Sequence, residues 1–480
     1  MHTSLLRTSR YLKLAILPVL VVSAACNKRS PSDNSGSGAS TAAASLSALS
    51  ANDVSWLFPA PARAEDFANL IAVRDVTTPN LQDPTKRDPI WPDSVFQQFL
   101  TIANSPQANV AGTNAQIGLP TEARSIDAWF IAGIRIDAGA PGLSSDIRAQ
   151  YGQLPEIRLI IQPVVKNTDG SPKVLDIAGH LIFDLVVLPP DPPVESCFPR
   201  FQPDINAFNP VVADVAALRT KLNNGQLGPH AVSTAGIPLG IHPGLADPQT
   251  AANVRNEMLA FLERHISAQR LGSMAIAGLP SNASKPWIFL SIASDHAGHF
   301  FPIHGPTLDG DKQFAQMLNP VGTNPRVVPE PHTNNLNAIT CKNAAVSPTS
   351  LPIAQRRGIS TSEVFATPAT SADQTKLILD TVADPTKSFF FNTDCISCHT
   401  ETRRAMDLLK VTDIPGINPA ALPTGQWDVR NFGWSPSGKG PAQATVTRRT
   451  AAETAAVVSF INSEILGKEA ALAGAGTTKQ

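Results

Sequence analysis

The sequence predicts a multidomain chain: an α+β N-terminal domain built on an antiparallel sheet, followed by a small all-α domain. Three observations predict it. The chain has 480 residues, more than one ordinary domain holds. Four segments in its N-terminal part are rich in β-branched and aromatic residues and are bounded by Pro, Gly or Asp, as strands are. After a proline-rich and Ser/Thr-rich stretch at 346–370, the apolar residues recur at helical spacing.

The strands are expected at 128–136, 157–165, 174–188 and 287–293, with Gly179 bending the third. Asn167, Thr168, Asp169 and Gly170 fit the turn of a hairpin joining the second strand to the third. Helices are expected at 211–222 and 251–270; in the longer one Val254, Met258, Phe261 and Ile266 recur near helical spacing. These elements define an α+β domain over residues 51–345, in which no internal repeat and no catalytic signature is legible. Residues 346–370 read as a linker to the final region, 371–480. There, Ser371-x-x-Gln374 and Thr450-x-x-Glu453 are capping-box patterns. The first precedes Leu377, Ile378 and Val382; the second precedes Val457, Val458, Ile461 and Ile465, with Gly467 as a stop. Residues 414–441, carrying Trp427, Phe432 and Trp434, are expected mostly as loop.

Composition limits the partners. Hydrophobic residues make up 42% and charged residues 16%, enough apolar material for real cores. A formal net charge of −1 excludes a general electrostatic attraction to nucleic acid or acidic membranes. The 42 prolines favour ordered loops and edge strands over a helical bundle.

The N-terminus has the form of an export signal. Arg7, Arg10 and Lys13 precede an apolar run at 14–22, interrupted by Pro18 and too short to span a bilayer. It ends in Ser23-Ala24-Ala25-Cys26, which resembles a bacterial lipoprotein lipobox. The resemblance implies lipidation of Cys26 as the new N-terminus. Ser23 stands where the lipobox usually has Leu or Val, so ordinary cleavage after Ala25 stays open as the other reading. Residues 1–26 are therefore expected as a lipoprotein signal peptide, and 27–50, rich in Ser, Gly, Ala, Asn and Asp, as a flexible tether. Export would place the mature chain in the periplasm or at the cell surface, anchored to the membrane by lipid.

Five cysteines are present. Cys197 and Cys341 are either a disulfide, which export permits, or two unrelated buried thiols. Cys395-Ile396-Ser397-Cys398-His399 is the C-x-x-C-H pattern of covalent haem attachment. On a helical turn, positions three apart share a face, so two thiols can form thioethers to both vinyl groups of one porphyrin. The adjacent histidine then supplies an imidazole nitrogen to the iron. A half zinc site would need a second ligand pair, and a thioredoxin-type redox pair a βαβ context; neither is legible. One haem c is expected, bound by Cys395, Cys398 and His399, with His399 as axial metal ligand.

With its first helix, this motif and its closing helix, the C-terminal region resembles a class I c-type cytochrome domain. The resemblance covers under a third of the chain; no family is recognised in residues 51–345. It implies an all-α fold wrapping one haem and passing single electrons. The family usually supplies a methionine to the iron's opposite face from downstream. Here no methionine follows Met406 and no histidine follows His399. Met406 lies two turns along the same helix face, about 10 Å up the axis, and stays on the proximal side. Three readings of the sixth position stay open: a histidine from the N-terminal domain, an empty or water-filled site, or Asn431 or Lys439 of the loop.

The densest histidine cluster is His296, His299 and His304, which reads as a distal ligand, a separate metal site, or solvated loop residues. His180, in an apolar strand, reads as a satisfied core residue. Arg403 and Arg404 read as an exposed helix face or as partners of haem propionates. The function expected is electron transfer with a redox partner protein. The alternatives are a haem enzyme or gas-binding protein with an open iron site, peroxidase-like, and a binding module with a haem adjunct.

The lipobox reading has a direct test. Expressed in a bacterium with its signal, the wild-type chain should fractionate with membranes, and Cys26→Ala should move it to the soluble fraction. A wild type already soluble after export would establish ordinary cleavage after Ala25.

Overall fold

The computed structural model describes residues 48–80, 83–104, 117–138, 155–185, 208–278, 288–295, 297–303, 307–308, 312–313, 340–341, 344–345, 371–385, 395–424, 430–436 and 440–467. Ten strands concern the fold here. They are β1 (Ser55–Leu57), β2 (Thr77–Pro79), β3 (Arg87–Pro89), β4 (Trp129–Asp137), β5 (Glu156–Lys166), β6 (Pro172–Val174), β7 (Ile177–Asp184), β8 (Leu271–Gly278), β9 (Ile288–Ser294) and β10 (Phe300–Ile303). β2 and β3 form a small ladder of their own. The rest make one eight-stranded sheet, in the order β1–β4–β5–β7–β8–β9–β10 with β6 beside β5. Every pairing in it is antiparallel, as expected.

The expected third strand divides in two, β6 and β7. The turn before β6 closes as its residues suggest: Asn167 N–H donates to the Ser171 carbonyl over 2.8 Å, and Gly170 takes φ +82°. β8 was not legible. Gly272, Ala275, Ala277 and Gly278 give it little strand propensity, and its place comes from pairing on both edges, to β7 and β9. The expected helix at 251–270 stops at His265, because Ile266 turns to φ −117°, ψ 157° and feeds β8.

Register sorts the sheet into two faces. Trp56, Ile134, Leu159, Leu181, Met274 and Ile292 form one cross-strand row, all of it buried. On this face lies α5 (Ala251–His265), after α1 (Ala51–Val54), α2 (Asp93–Ala103), α3 (Asn209–Asn223) and α4 (Pro243–Ala246) in chain order. The Trp56 ring meets Phe261 of α5 edge-on at 4.9 Å. In α2, Phe96, Phe99, Leu100 and Ala103 are buried, a helical stripe that packs with Trp91 and Trp129.

The other face carries Arg135, Arg158 and Ile182 in one row and Gly133, Ile160, His180, Ala275 and Ser291 in the next. Here the C-terminal elements dock: α6 (Ala372–Ala383), α7 (Cys395–Leu409), the hairpin β11 (Phe432–Ser435) with β12 (Gln443–Val446), and α8 (Arg448–Phe460), which continues as a π-helical turn, Ile461–Leu466. β11 lies on β4 and β5, and α8 on α1.

Three findings bear on the expected organisation. The region 371–480 is not all-α, since 432–435 and 443–446 pair as strands where loop was expected. Residues 414–466 share one hydrophobic cluster with the sheet and its helices, running from Leu49 to Leu466, whereas Leu379, Val382, Ala383 and Ala405 of α6 and α7 are buried outside it. The tether ends before 50, because Leu49 is buried and exchanges two hydrogen bonds with Asn462, of 2.8 and 3.0 Å. The signal peptide, Cys26, Cys197 and the 346–370 linker lie outside the described residues, as does the side chain of Cys341.

The hairpin docks by close backbone approach. Gln162 and Trp434, both fully buried, bond reciprocally: Gln162 Nε2 donates to the Trp434 carbonyl (2.7 Å), and Trp434 N–H donates to Gln162 Oε1 (2.6 Å). Trp434 Nε1 donates to the Phe58 carbonyl at 2.9 Å. A Cβ on Gly433 would stand 2.7 Å from Gln162 Oε1, and its φ of +149° disfavours any side chain. Gly433→Ala should therefore cost about 1–3 kcal/mol of stability, read as a lower urea midpoint. An unchanged midpoint would mean that the hairpin does not seat on Gln162.

Candidate functional site

α7 begins at Cys395, so Cys395 and Cys398 stand three apart on one helical turn, as the motif requires. The Cys395 side chain lies outside the described residues; Cys398 and His399 are half-buried. The helix runs unbroken to Leu409. Met406 on it packs against the core, half-buried, in keeping with its reading as a core contact. Arg404, read from sequence mainly as an exposed residue, is buried, and burial lowers its pKa to about 10. Arg403 is half-buried and pairs with Asp407 at 2.6 Å.

α8 is stitched to α7 at its first turn. Thr402 Oγ1 accepts from Arg448 N–H (2.8 Å), and Glu401 Oε1 accepts from Arg449 N–H (3.3 Å). Burial pushes the Glu401 carboxyl up to about 7, against the opposing charge of Arg448. The cap of α8 is Thr447, whose hydroxyl accepts from Thr450 N–H, rather than the expected Thr450. Glu453 is thereby not a capping residue and turns to the sheet.

Between the sheet and these elements lies a cavity of about 290 Å³. Its sheet wall includes Ile160, Ile182, His180, Arg135 and Arg158; its other wall includes His399, Arg430, Asn431, Phe432, Thr450 and Glu453. The mixture is that of a ligand site, apolar surface with a few convergent polar groups.

Glu453 organises the charges. Its carboxylate takes Arg135 Nη2 at 2.8 Å and Arg449 Nε at 2.6 Å. Burial would raise its pKa, but Arg135, Arg449 and Arg158 outweigh burial and hold it well below the usual range. Arg158 pairs with Glu156 (2.7 Å) and Arg430 with Asp176 (2.8 Å). Arg135 Nε is buried with no hydrogen-bond partner among the described residues. Along one edge, Asp137, Glu156 and Asp184 stand in a cross-strand row. Burial, then Glu156, raises Asp137 to about 6 and moves Asp184 the same way.

His180 is half-buried and lines this cavity, close enough to His399 for their charges to interact. Burial first, then Arg158 and His399, depress its pKa well below the ordinary value, so the ring is neutral. It is therefore not simply the core residue that the sequence suggested. His299 is exposed on a turn, held to Asp295 at 3.1 Å, and does not line the cavity. His296, His304 and Lys439 lie outside the described residues. No group of three or more His, Cys, Asp or Glu among the described residues is arranged to hold a metal ion directly. Sequence reading missed His180, Arg135, Arg158, Arg430 and Glu453. A signal existed: Glu156, Arg158 and Gln162 alternate with buried aliphatics in β5, which marks a polar face turned toward protein rather than solvent.

No protein-family model, curated protein or solved structure matches this chain.

Glu453→Gln keeps the shape and removes the charge that balances Arg135 and Arg449. The variant should lose about 3 kcal/mol at pH 7, measured by urea unfolding. Because the folded pKa is depressed, this stability is present above the model-compound value of 4.5 and fades as pH falls below it. The gap between wild type and variant should narrow in acid accordingly.

Proposed function

We propose that this chain is an exported c-type cytochrome that carries one covalent haem and passes single electrons to or from a periplasmic or cell-surface redox protein. The observation that carries the reading is that C-x-x-C-H opens a helix and its His399 lines a cavity walled by the sheet. The donor set suits haem. Cys395 and Cys398 would hold it through thioethers, each thiol S–H adding across one vinyl group with no leaving group. His399 would supply the axial nitrogen. Ile160, Ile182 and Phe432 offer apolar surface for a porphyrin. Arg135, with its unpartnered buried Nε, offers a donor to a propionate, and Arg158 and Arg430 add positive charge beside it.

Bound there, haem supplies one-electron chemistry by cycling between ferric and ferrous iron. The chain's own contribution is to orient the imidazole, exclude water with the sheet and set the local charge. The helical part of the resemblance to class I cytochromes rests on α6, α7 and α8, which pack on one another. The family's methionine has no equivalent on this helix arrangement. No helix among the described residues is long and apolar enough to cross a membrane. Membrane attachment in this reading comes from lipid on Cys26.

The reading is tested on protein matured in a host that attaches haem c. The haem should stay with the polypeptide through acid–acetone extraction, and replacing both Cys395 and Cys398 by Ala should release it. Haem that extracts from the wild type, or a wild type that matures without haem, would overturn the reading.

A further inference from the structure

We propose that His180 is the second axial ligand, which makes the site a bis-histidine haem centre shared by the sheet and the C-terminal helix; this rests on the haem reading above. Four observations converge. First, His180 and His399 line one cavity, and they come from its two walls, β7 and α7. Second, the half-buried His180 ring takes no hydrogen bond from a described residue, which leaves it open to the cavity it lines. Third, its ring is flanked on its own row by Ile160 and Ala275, neither of which can engage it by a polar side chain. Fourth, the other donors among the described residues compete less well: Asn431 also lines the cavity, but as an amide whose Oδ1 accepts from Thr447 Oγ1 at 3.5 Å. Met406 packs on the core, His299 points to Asp295 on an exposed turn, and among the described residues His180 is the one further histidine in the cavity wall.

The register explains why this residue can serve. In β7, Ala178, His180 and Ile182 share the face turned to the C-terminal elements. Ala178 and Ala275 keep the surface around His180 low, so a flat ring can approach it. A neutral imidazole is the form that binds iron. A second nitrogen ligand closes the position at which peroxide or a gas would bind, and so assigns the site to electron transfer rather than to open-iron chemistry.

The experiment compares the full-length haem-matured wild type, His180→Ala and His180→Met by optical, electron-paramagnetic-resonance and near-infrared magnetic circular dichroism spectroscopy. The ferric wild type should be low-spin with a bis-nitrogen signature and no sulfur-to-iron charge-transfer band. His180→Ala should turn high-spin, gain carbon monoxide binding in the ferrous form, and return to low-spin when imidazole is added. His180→Met should gain the sulfur-to-iron band, a readout that a packing role would not give. A high-spin wild type, or a His180→Ala protein with an unchanged low-spin spectrum, overturns the ligand assignment while leaving the covalent haem in place. Even if His180→Ala failed to fold, the wild-type spectrum would decide, since a methionine band or a high-spin iron in it excludes His180. A wild type without covalent haem defeats the parent reading instead.

Discussion

The arrangement around the cavity depends on one half-buried carboxylate. Glu453 lies on α8, yet its partners are Arg135 of the sheet and Arg449 of its own helix. A buried arginine without an anion is costly, and so is a buried glutamate without a cation. Neither side of this interface can be interior without the other. Helix α8 must therefore lie on the polar face of the sheet, and the elements tied to α8 follow it there. Thr450 Oγ1 and Thr447 N–H both donate to the Asn431 carbonyl, which fixes the entry to β11. Thr402 and Glu401 receive the first N–H groups of α8, which fixes α7. This chain of contacts places α7 and, with it, His399.

The same chain of contacts explains what could be read in the sequence. Strands β4, β5, β7 and β9 were legible because their β-branched and aromatic runs carry the signal locally. The C-x-x-C-H motif was legible because its chemistry is compressed into five adjacent residues. β8 was hidden because Gly272 and Ala275 hold no strand preference and its pairing is supplied by distant neighbours. β11 and β12 were hidden for a similar reason: Phe432 and Trp434 look like loop aromatics until Gln162, far earlier in the chain, provides the bonds that order them. The role of Glu453 was hidden because Thr450-x-x-Glu453 matches a capping box in sequence, whereas Thr447 is the cap. The Glu453 carboxylate is engaged by arginines.

His180 shows the limit most clearly. In sequence it stands among Ala178, Gly179, Leu181 and Ile182, and an apolar neighbourhood argues for a core residue. Both faces of β7 are covered, so hydrophobic neighbours say nothing about which face holds a functional group. The distinction comes from register. The row containing Leu181 is packed with Trp56 and Met274, while the row containing His180 opens on the cavity. A cluster of histidines such as His296, His299 and His304 attracts attention because it is dense, yet the exposed position of His299 shows that density on a turn is compatible with plain solvation.

A two-part site has a consequence for how the cofactor and the fold support each other. In the proposed cytochrome, thioethers fix haem to α7, whereas His180 belongs to the sheet. Iron coordination would then add a bond between parts of the chain that otherwise meet through Glu453 and the Gln162–Trp434 pair. A ligand that binds only the folded state stabilises that state by mass action, and a covalently tethered haem is present at high local concentration. The strength of the His180 bond is in turn limited by how firmly the two parts dock. A change that loosens the hairpin, far from the iron, would lower the fraction of molecules with His180 in reach and raise the high-spin fraction without altering either imidazole. Coordination state would thus report on docking. The apparent redundancy of buried bonds around the cavity then has a physical reason: they hold two imidazoles from distant segments at one separation against the thermal opening of the interface.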